Sequence, residues 1–175
     1  HLAQSLSSQS KPTKIAVIGS TGKLGRTAIE KLSSLNIPTK CLLRHPIPQP
    51  AEGKNRKSVV AIADDAPPSE VATYLSQLPH VSMVQGDVTN LESLHELVQD
   101  CTAILALHGP KPPQSPLWKN IFVPFLVPES NTKHPYQINY VGVQNLINAA
   151  KQSKSVTRIV RITGKNEQPF SIVSI

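Results

Sequence analysis

"KIAVIGSTGKLGRTAIEKL", residues 14–32, decides how the whole chain is read. It opens on an apolar run, breaks at a glycine-rich turn and continues with helical spacing. In residues 14–19 the four central positions are apolar, and Ile15, Val17 and Ile18 are β-branched, as expected of a strand buried on both faces. From Lys23 to Leu35 the residues Leu24, Ala28, Ile29, Leu32 and Leu35 fall on one helical face, and Asn36 is placed to end the helix in a left-handed cap. A strand that hands over to a helix through such a turn presents bare backbone N–H groups and the positive end of the helix dipole, which together suit a pyrophosphate. Gly19 permits the sharp turn, Gly22 lets phosphates approach the backbone, and Gly25 lets helix and strand pack closely, while Ser20 and Thr21 add hydroxyls.

The same alternation repeats along the chain. Apolar runs at 39–44, 80–88, 101–109 and 156–164 read as four further strands. Between them, residues 67–78 start on prolines and bury Val71, Leu75 and Leu78. A second helix follows the capping-box spacing of Thr89 and Glu92, through Leu91, Leu94, Leu97 and Val98. Residues 135–152 form a last helix with an inner stripe of Ile138, Val141, Leu146, Ile147 and Ala150. Strands alternating with helices predict an α/β fold, a doubly wound parallel sheet of the Rossmann type with at least five parallel strands. Residues 1–13, rich in Ser, Gln and Lys, read as a flexible lead-in, and 14–175 as one domain. The polar stretch 45–58 reads as a solvated loop.

Composition limits the partners. The chain has 175 residues and a formal net charge of +7, so anions such as nucleotides should be attracted to it. An aromatic content of 4%, with no basic stripe interleaved with aromatics, argues against a nucleic-acid partner. Cys41 and Cys101 sit among apolar residues and are expected reduced and buried. The six histidines show no metal-ligand spacing with Cys, Asp or Glu, so no metal site is expected. No apolar run reaches the length of a transmembrane segment, and "HLAQSLSSQS" lacks both an initiator Met and a signal-peptide core. The expectation is a soluble protein, either cytoplasmic or, after transit-peptide removal, organellar in a plastid or mitochondrion.

Five stretches now stand in order: "GSTGKLG" at 19–25, "GDV" at 86–88, "LHG" at 107–109, "NYVGVQNLINAA" at 139–150 and "RIVRITG" at 158–164. In them the chain resembles the extended and atypical short-chain dehydrogenase/reductases, particularly the NmrA-like branch, although its turn is G-x-x-G-x-x-G rather than G-x-G-x-x-G. The resemblance implies that Gly19, Ser20, Thr21, Gly22, Lys23, Leu24 and Gly25 hold a dinucleotide pyrophosphate. It implies that Asp87 and Val88 bracket the adenine and that Leu107, His108 and Gly109 lie along the nicotinamide-side ribose. Asp87 reads equally as a helix-capping carboxylate, and His108 as a neutral loop histidine or as an acid/base group. At the end of the second strand Arg44 stands where NAD-preferring folds carry a carboxylate, which favours NADP(H) over NAD(H).

Catalysis is less legible. Reductases of this type use a Tyr-x-x-x-Lys pair, yet Tyr74, Tyr136 and Tyr140 are followed four positions on by Leu78, Tyr140 and Gln144. In the family that pair follows the fifth strand, and this chain stops soon after it, so the sequence reads as truncated there. Thr163 at the end of that strand, with His108, is the remaining candidate for a catalytic role. Residues 110–133 are long for a strand-to-helix connection, and their apolar part, 117–127, needs cover. It reads as a substrate lid, as a surface for a protein partner with the tail 170–175 as a second contact, or as a segment folded back on its own domain. Two functions stay open: a hydride-transfer oxidoreductase on a substrate the motifs do not specify, and a non-catalytic nucleotide-holding subunit, redox sensor or assembly factor of a larger complex.

Overall fold

β1 (Ile15–Ile18) is buried along its whole length, with Ile15 and Val17 packed on one side and Ala16 and Ile18 on the other. A strand of that kind needs cover on both faces, and it has it. A computed structural model describes residues 14–46, 62–63, 65–109 and 134–162. Five parallel strands pair in the order β3-β2-β1-β4-β5, where β2 is Thr39–Leu43, β3 Val81–Gln85, β4 Ala103–Ala106 and β5 Arg158–Arg161. The register runs Ile15↔Thr39 and Ile15↔Ala103 at the amino end of the sheet, and Leu43↔Gln85 and Ala106↔Arg161 at the carboxyl end. The chain turns from one side of β1 to the other between β3 and β4, so the carboxyl ends of β1 and β4 flank a topological switch point.

Two core layers sandwich the sheet. Ile29 of α1 (Lys23–Ser34) and Val71 and Leu75 of α2 (Pro68–Gln77) pack with Ile15, Val17 and Cys41. On the opposite face, Leu94, Leu97 and Val98 of α3 (Leu91–Val98) join Leu146 and Ala149 of α4 (Gly142–Ser153) over Ala16, Ile18 and Ile104. Cys41 and Cys101 are free and buried, one in each layer. Burial pushes the Cys41 thiol up to about 12 and raises that of Cys101 as well.

Asn36 does take the left-handed conformation, at φ 55°, and Pro68 opens α2. Four local expectations need correction. The cap of α3 is Asn90, whose side-chain oxygen accepts from the backbone N–H groups of Glu92 (2.9 Å) and Ser93 (3.4 Å). Thr89 is unavailable for that role because its hydroxyl and its N–H both donate to Asp87. Leu24 and Leu35 are about half exposed: one lies in the first turn of α1, the other is its C-cap, and Gly25, Arg26, Ile29 and Ser33 form the buried stripe between them. Residues Gln137–Val141 before α4 form a π-helical turn. Within α4 the buried stripe runs through Gly142, Leu146, Ala149 and Ala150, and at helical spacing Ile147 falls outside it and is exposed.

Candidate functional site at the switch point

The glycine turn closes the carboxyl end of β1. Gly19 adopts φ 83°, and a Cβ there would stand 2.7 Å from the His108 backbone nitrogen and 2.8 Å from the Leu107 carbonyl, so only glycine lets β1 and β4 run this close together. A Cβ at Gly25 would collide with the Gly19 carbonyl, which fixes how tightly α1 sits on the turn. At Gly22 the setting is different. It is exposed, it is the N-cap of α1, and a Cβ there would meet only the Gly19 carbonyl oxygen, at 3.3 Å.

No side chain caps α1, and no acidic residue stands in its first turn. The Gly22 N–H is used within the turn, donating to the Gly19 carbonyl at 3.1 Å, and the ladder begins with Arg26 donating to the Gly22 carbonyl at 2.9 Å. The first-turn amides of Leu24 and Gly25 therefore have no acceptor in the helix, and the positive end of its dipole is uncompensated there. α3 shows the contrast, since Asn90 caps it and Glu92 lies in its first turn. One helix end is closed by its own residues; the other has no such closure among the described residues. Thr21 is half-buried and Lys23 and Leu24 are exposed around that end. Ser20 is 1% exposed and its hydroxyl donates to the Leu42 carbonyl at 2.7 Å, so the expected hydroxyl is spent on the sheet and only the Ser20 backbone remains for a ligand.

The ends of β2 and β3 bring the next two residues together. The Leu43↔Gln85 register continues with the Gly86 N–H donating to the Leu43 carbonyl at 2.8 Å, which puts Arg44 beside Asp87. Arg44 Nε donates to Asp87 Oδ2 at 2.8 Å. The other carboxylate oxygen, Oδ1, accepts from the Thr89 N–H and hydroxyl, each at 2.9 Å. Asp87 thus does not cap α3, against the helix-capping reading; its carboxylate is shared between Arg44 and Thr89. Val88 is buried beneath α4, against Gly142.

A residue the sequence reading missed holds this corner down. Asn145 of α4 donates through Nδ2 to the carbonyls of Val88 (3.3 Å) and Thr89 (3.1 Å). Its position in "NYVGVQNLINAA" marked the helix, but the acceptors are backbone atoms more than fifty residues away, and no spacing announces them.

At the β4 end Leu107 donates to the Ile18 carbonyl at 2.9 Å, His108 follows, and nothing would lie within 4 Å of a Cβ at the exposed Gly109. Both His108 ring nitrogens are buried, and among the described residues neither makes a hydrogen bond of good geometry, the Ile138 backbone offering only a weak one. Burial first, and then the positive charges of Arg161 and Arg44, hold its pKa below the ordinary value; a weaker opposing influence comes from the Ile138 backbone and from Asp87. The imidazole is accordingly neutral at neutral pH. Arg161 Nη2 donates to Asn139 Oδ1 at 3.3 Å beside it. The remaining candidates, Thr163, the apolar stretch 117–127 and the tail 170–175, lie outside the described residues, as does the lead-in 1–13. Among the described residues no group of His, Cys, Asp and Glu is arranged to hold a metal ion, and no helix is long and apolar enough to cross a membrane.

Strand order, switch point and glycine corner can be compared with solved proteins. A structure of NmrA, a negative transcriptional regulator, in complex with NADP matches 85% of this chain at a TM-score of 0.53 and 13% identity. The chain has a Rossmann-like fold shared with NmrA. Pen from Bacillus thuringiensis matches over 85% of the chain at a TM-score of 0.56 and 16% identity, and uronate dehydrogenase from Agrobacterium tumefaciens over 85% at 0.51 and 20%. This chain spans 32%, 36% and 40% of the lengths of those three proteins. NmrA has also been solved with NAD. No protein-family model matches the sequence. No curated protein matches it either. The fold is therefore shared with these three proteins at low sequence identity.

Proposed function

We propose that the switch-point crevice binds a nicotinamide dinucleotide, with NADP(H) preferred over NAD(H), and that the chain is the cofactor-binding part of a reductase-like protein. The observation that carries this reading is the uncapped, acid-free start of α1 after β1, with a cation, Arg44, at the end of the neighbouring β2. Diphosphate oxygens would take the first-turn amides of Leu24 and Gly25. The half-exposed Arg44 would take the 2′-phosphate, which a carboxylate at that position would repel. Val88 and its loop would border the adenine. Leu107, His108 and Gly109 would border the nicotinamide end, where the neutral His108 adds no charge. That NmrA is solved with both NADP and NAD supports a dinucleotide in this fold, and the preference rests on Arg44 alone. A bound dinucleotide supplies hydride exchange at its nicotinamide ring. Thr163 remains the candidate for orienting a substrate.

The test is a titration with NADPH and with NADH, followed by nicotinamide fluorescence. Arg44→Asp should weaken NADPH binding tenfold or more and leave NADH within about threefold, since one charge-assisted contact to phosphate is worth roughly 1.5–3 kcal/mol. Equal loss of both would remove the preference for NADP(H).

A second reading is a nucleotide-holding subunit without turnover. Copurifying subunits without NADPH oxidation would favour this reading, and NADPH oxidation dependent on a carbonyl compound would favour the enzyme.

A further inference from the structure

We propose that Asp87 is a positioning residue for cofactor choice: it holds the Arg44 guanidinium so that its terminal nitrogens meet the 2′-phosphate of NADP(H). The proposal rests on the dinucleotide reading of the crevice and assigns Asp87 a different task from the adenine contact its motif implied. Both of its carboxylate oxygens are already engaged, Oδ2 by Arg44 Nε at 2.8 Å and Oδ1 by the N–H and hydroxyl of Thr89 at 2.9 Å. The carboxylate cannot swing away from this arrangement, because its backbone is held as well. Its N–H donates to Ser93 Oγ (3.3 Å), whose hydroxyl faces the Asp87 carbonyl (3.0 Å), and Asn145 secures the carbonyls of Val88 and Thr89.

The contact reaches Arg44 through Nε, the inner nitrogen of the fork. Nη1 and Nη2 find no partner among the described residues, and the Arg44 side chain is 49% exposed against 23% for Asp87. A carboxylate on the inner nitrogen, with the outer nitrogens unpartnered among the described residues, is an arrangement that suits a phosphomonoester arriving from solvent. An unheld arginine at a strand end would have to give up its rotamer freedom on binding; this one has given it up beforehand. The Asp87 charge opposes a phosphate as well, but it is shared with three donors and screened by salt. Positioning outweighs that repulsion.

The experiment measures the ratio of NADH to NADPH dissociation constants for the full chain, for Asp87→Asn, for Arg44→Gln and for the pair. Asparagine keeps the acceptor for Thr89 and loses the acceptor for Arg44. Asp87→Asn should lower the ratio three- to tenfold with Arg44 present and leave it unchanged in the Arg44→Gln background. A ratio unchanged or raised by Asp87→Asn overturns the proposal, as does an equal effect in both backgrounds. If Asp87→Asn fails to fold by circular dichroism, Arg44→Lys breaks the same contact while keeping the charge. It should lower the ratio at least threefold, and a lysine with full preference overturns the proposal. An unmodified chain that binds neither dinucleotide overturns the crevice reading and this proposal together; binding with an unaffected ratio overturns the proposal alone.

Discussion

Gly22 and Gly25 lie one helical turn apart, yet they should fail differently when mutated. Alanine at 25 drives its Cβ into the Gly19 carbonyl, and backbone cannot step aside cheaply. Gly25→Ala is expected to destabilise the protein by about 3 kcal/mol, the upper end of overpacking costs, readable in urea unfolding. Alanine at 22 meets only one atom, at 3.3 Å, on an exposed residue. Gly22→Ala should change the urea midpoint little and reduce dinucleotide affinity tenfold or more, because its methyl stands at the open helix end. Equal stability losses in the two variants would contradict this division of labour. His108 gives a pH signature. Its pKa is held down in the folded chain, so below about 6.5, the ordinary value for histidine, the unfolded chain takes up a proton that the folded chain refuses. Stability is full above that pH, falls as the pH drops through it, and levels off below the folded pKa. His108→Gln should remove that part of the decline between pH 7 and pH 5, measured by urea midpoints. An unaltered slope would show that the imidazole titrates freely.

Among the elements, the two helix starts bear opposite duties. α3 closes its own end, and Asn90→Ala should cost about 1 kcal/mol, the usual worth of such a cap, with no effect on dinucleotide affinity. A loss within a few tenths would mean that Thr89 takes over, as its spacing to Glu92 suggests. This is also where the sequence misleads. The S/T-x-x-E pattern was present at 89–92, but an asparagine one place on competes for the same amides and Asp87 draws the threonine away. Burial, by contrast, could be read directly: strands covered on both faces leave unbroken apolar runs, so β1, β2 and β4 were legible with ends off by a few residues. The π-helical turn before α4 was not, since nothing in "QINYV" distinguishes it from an α-helical turn.

At the scale of the molecule, topology followed from alternation of strand and helix, and the glycine corner from spacing. What could not be read were the contacts that register creates. Arg44 and Asp87 are forty-three positions apart and meet only because β2 and β3 end level with each other. Asn145 reaches the same loop from a helix on the far side of the sequence. The two cysteines report on whole-molecule integrity: both are buried in opposite layers with raised pKa values. Neither should react with a thiol reagent at pH 8 in the folded state, and both should do so in 6 M guanidinium. Rapid labelling of the folded chain would show that one layer opens. β5 is the exception to this enclosure, with all four residues exposed and Ile159 and Val160 about 40% accessible.

Hydrogen exchange of the backbone amides, with and without saturating NADPH, tests most directly whether the switch point is where a dinucleotide sits. Slowed exchange should concentrate in residues 20–25, 87–88 and 107–109. Protection confined to other segments, or none at 20–25 while NADPH is demonstrably bound, would contradict the account.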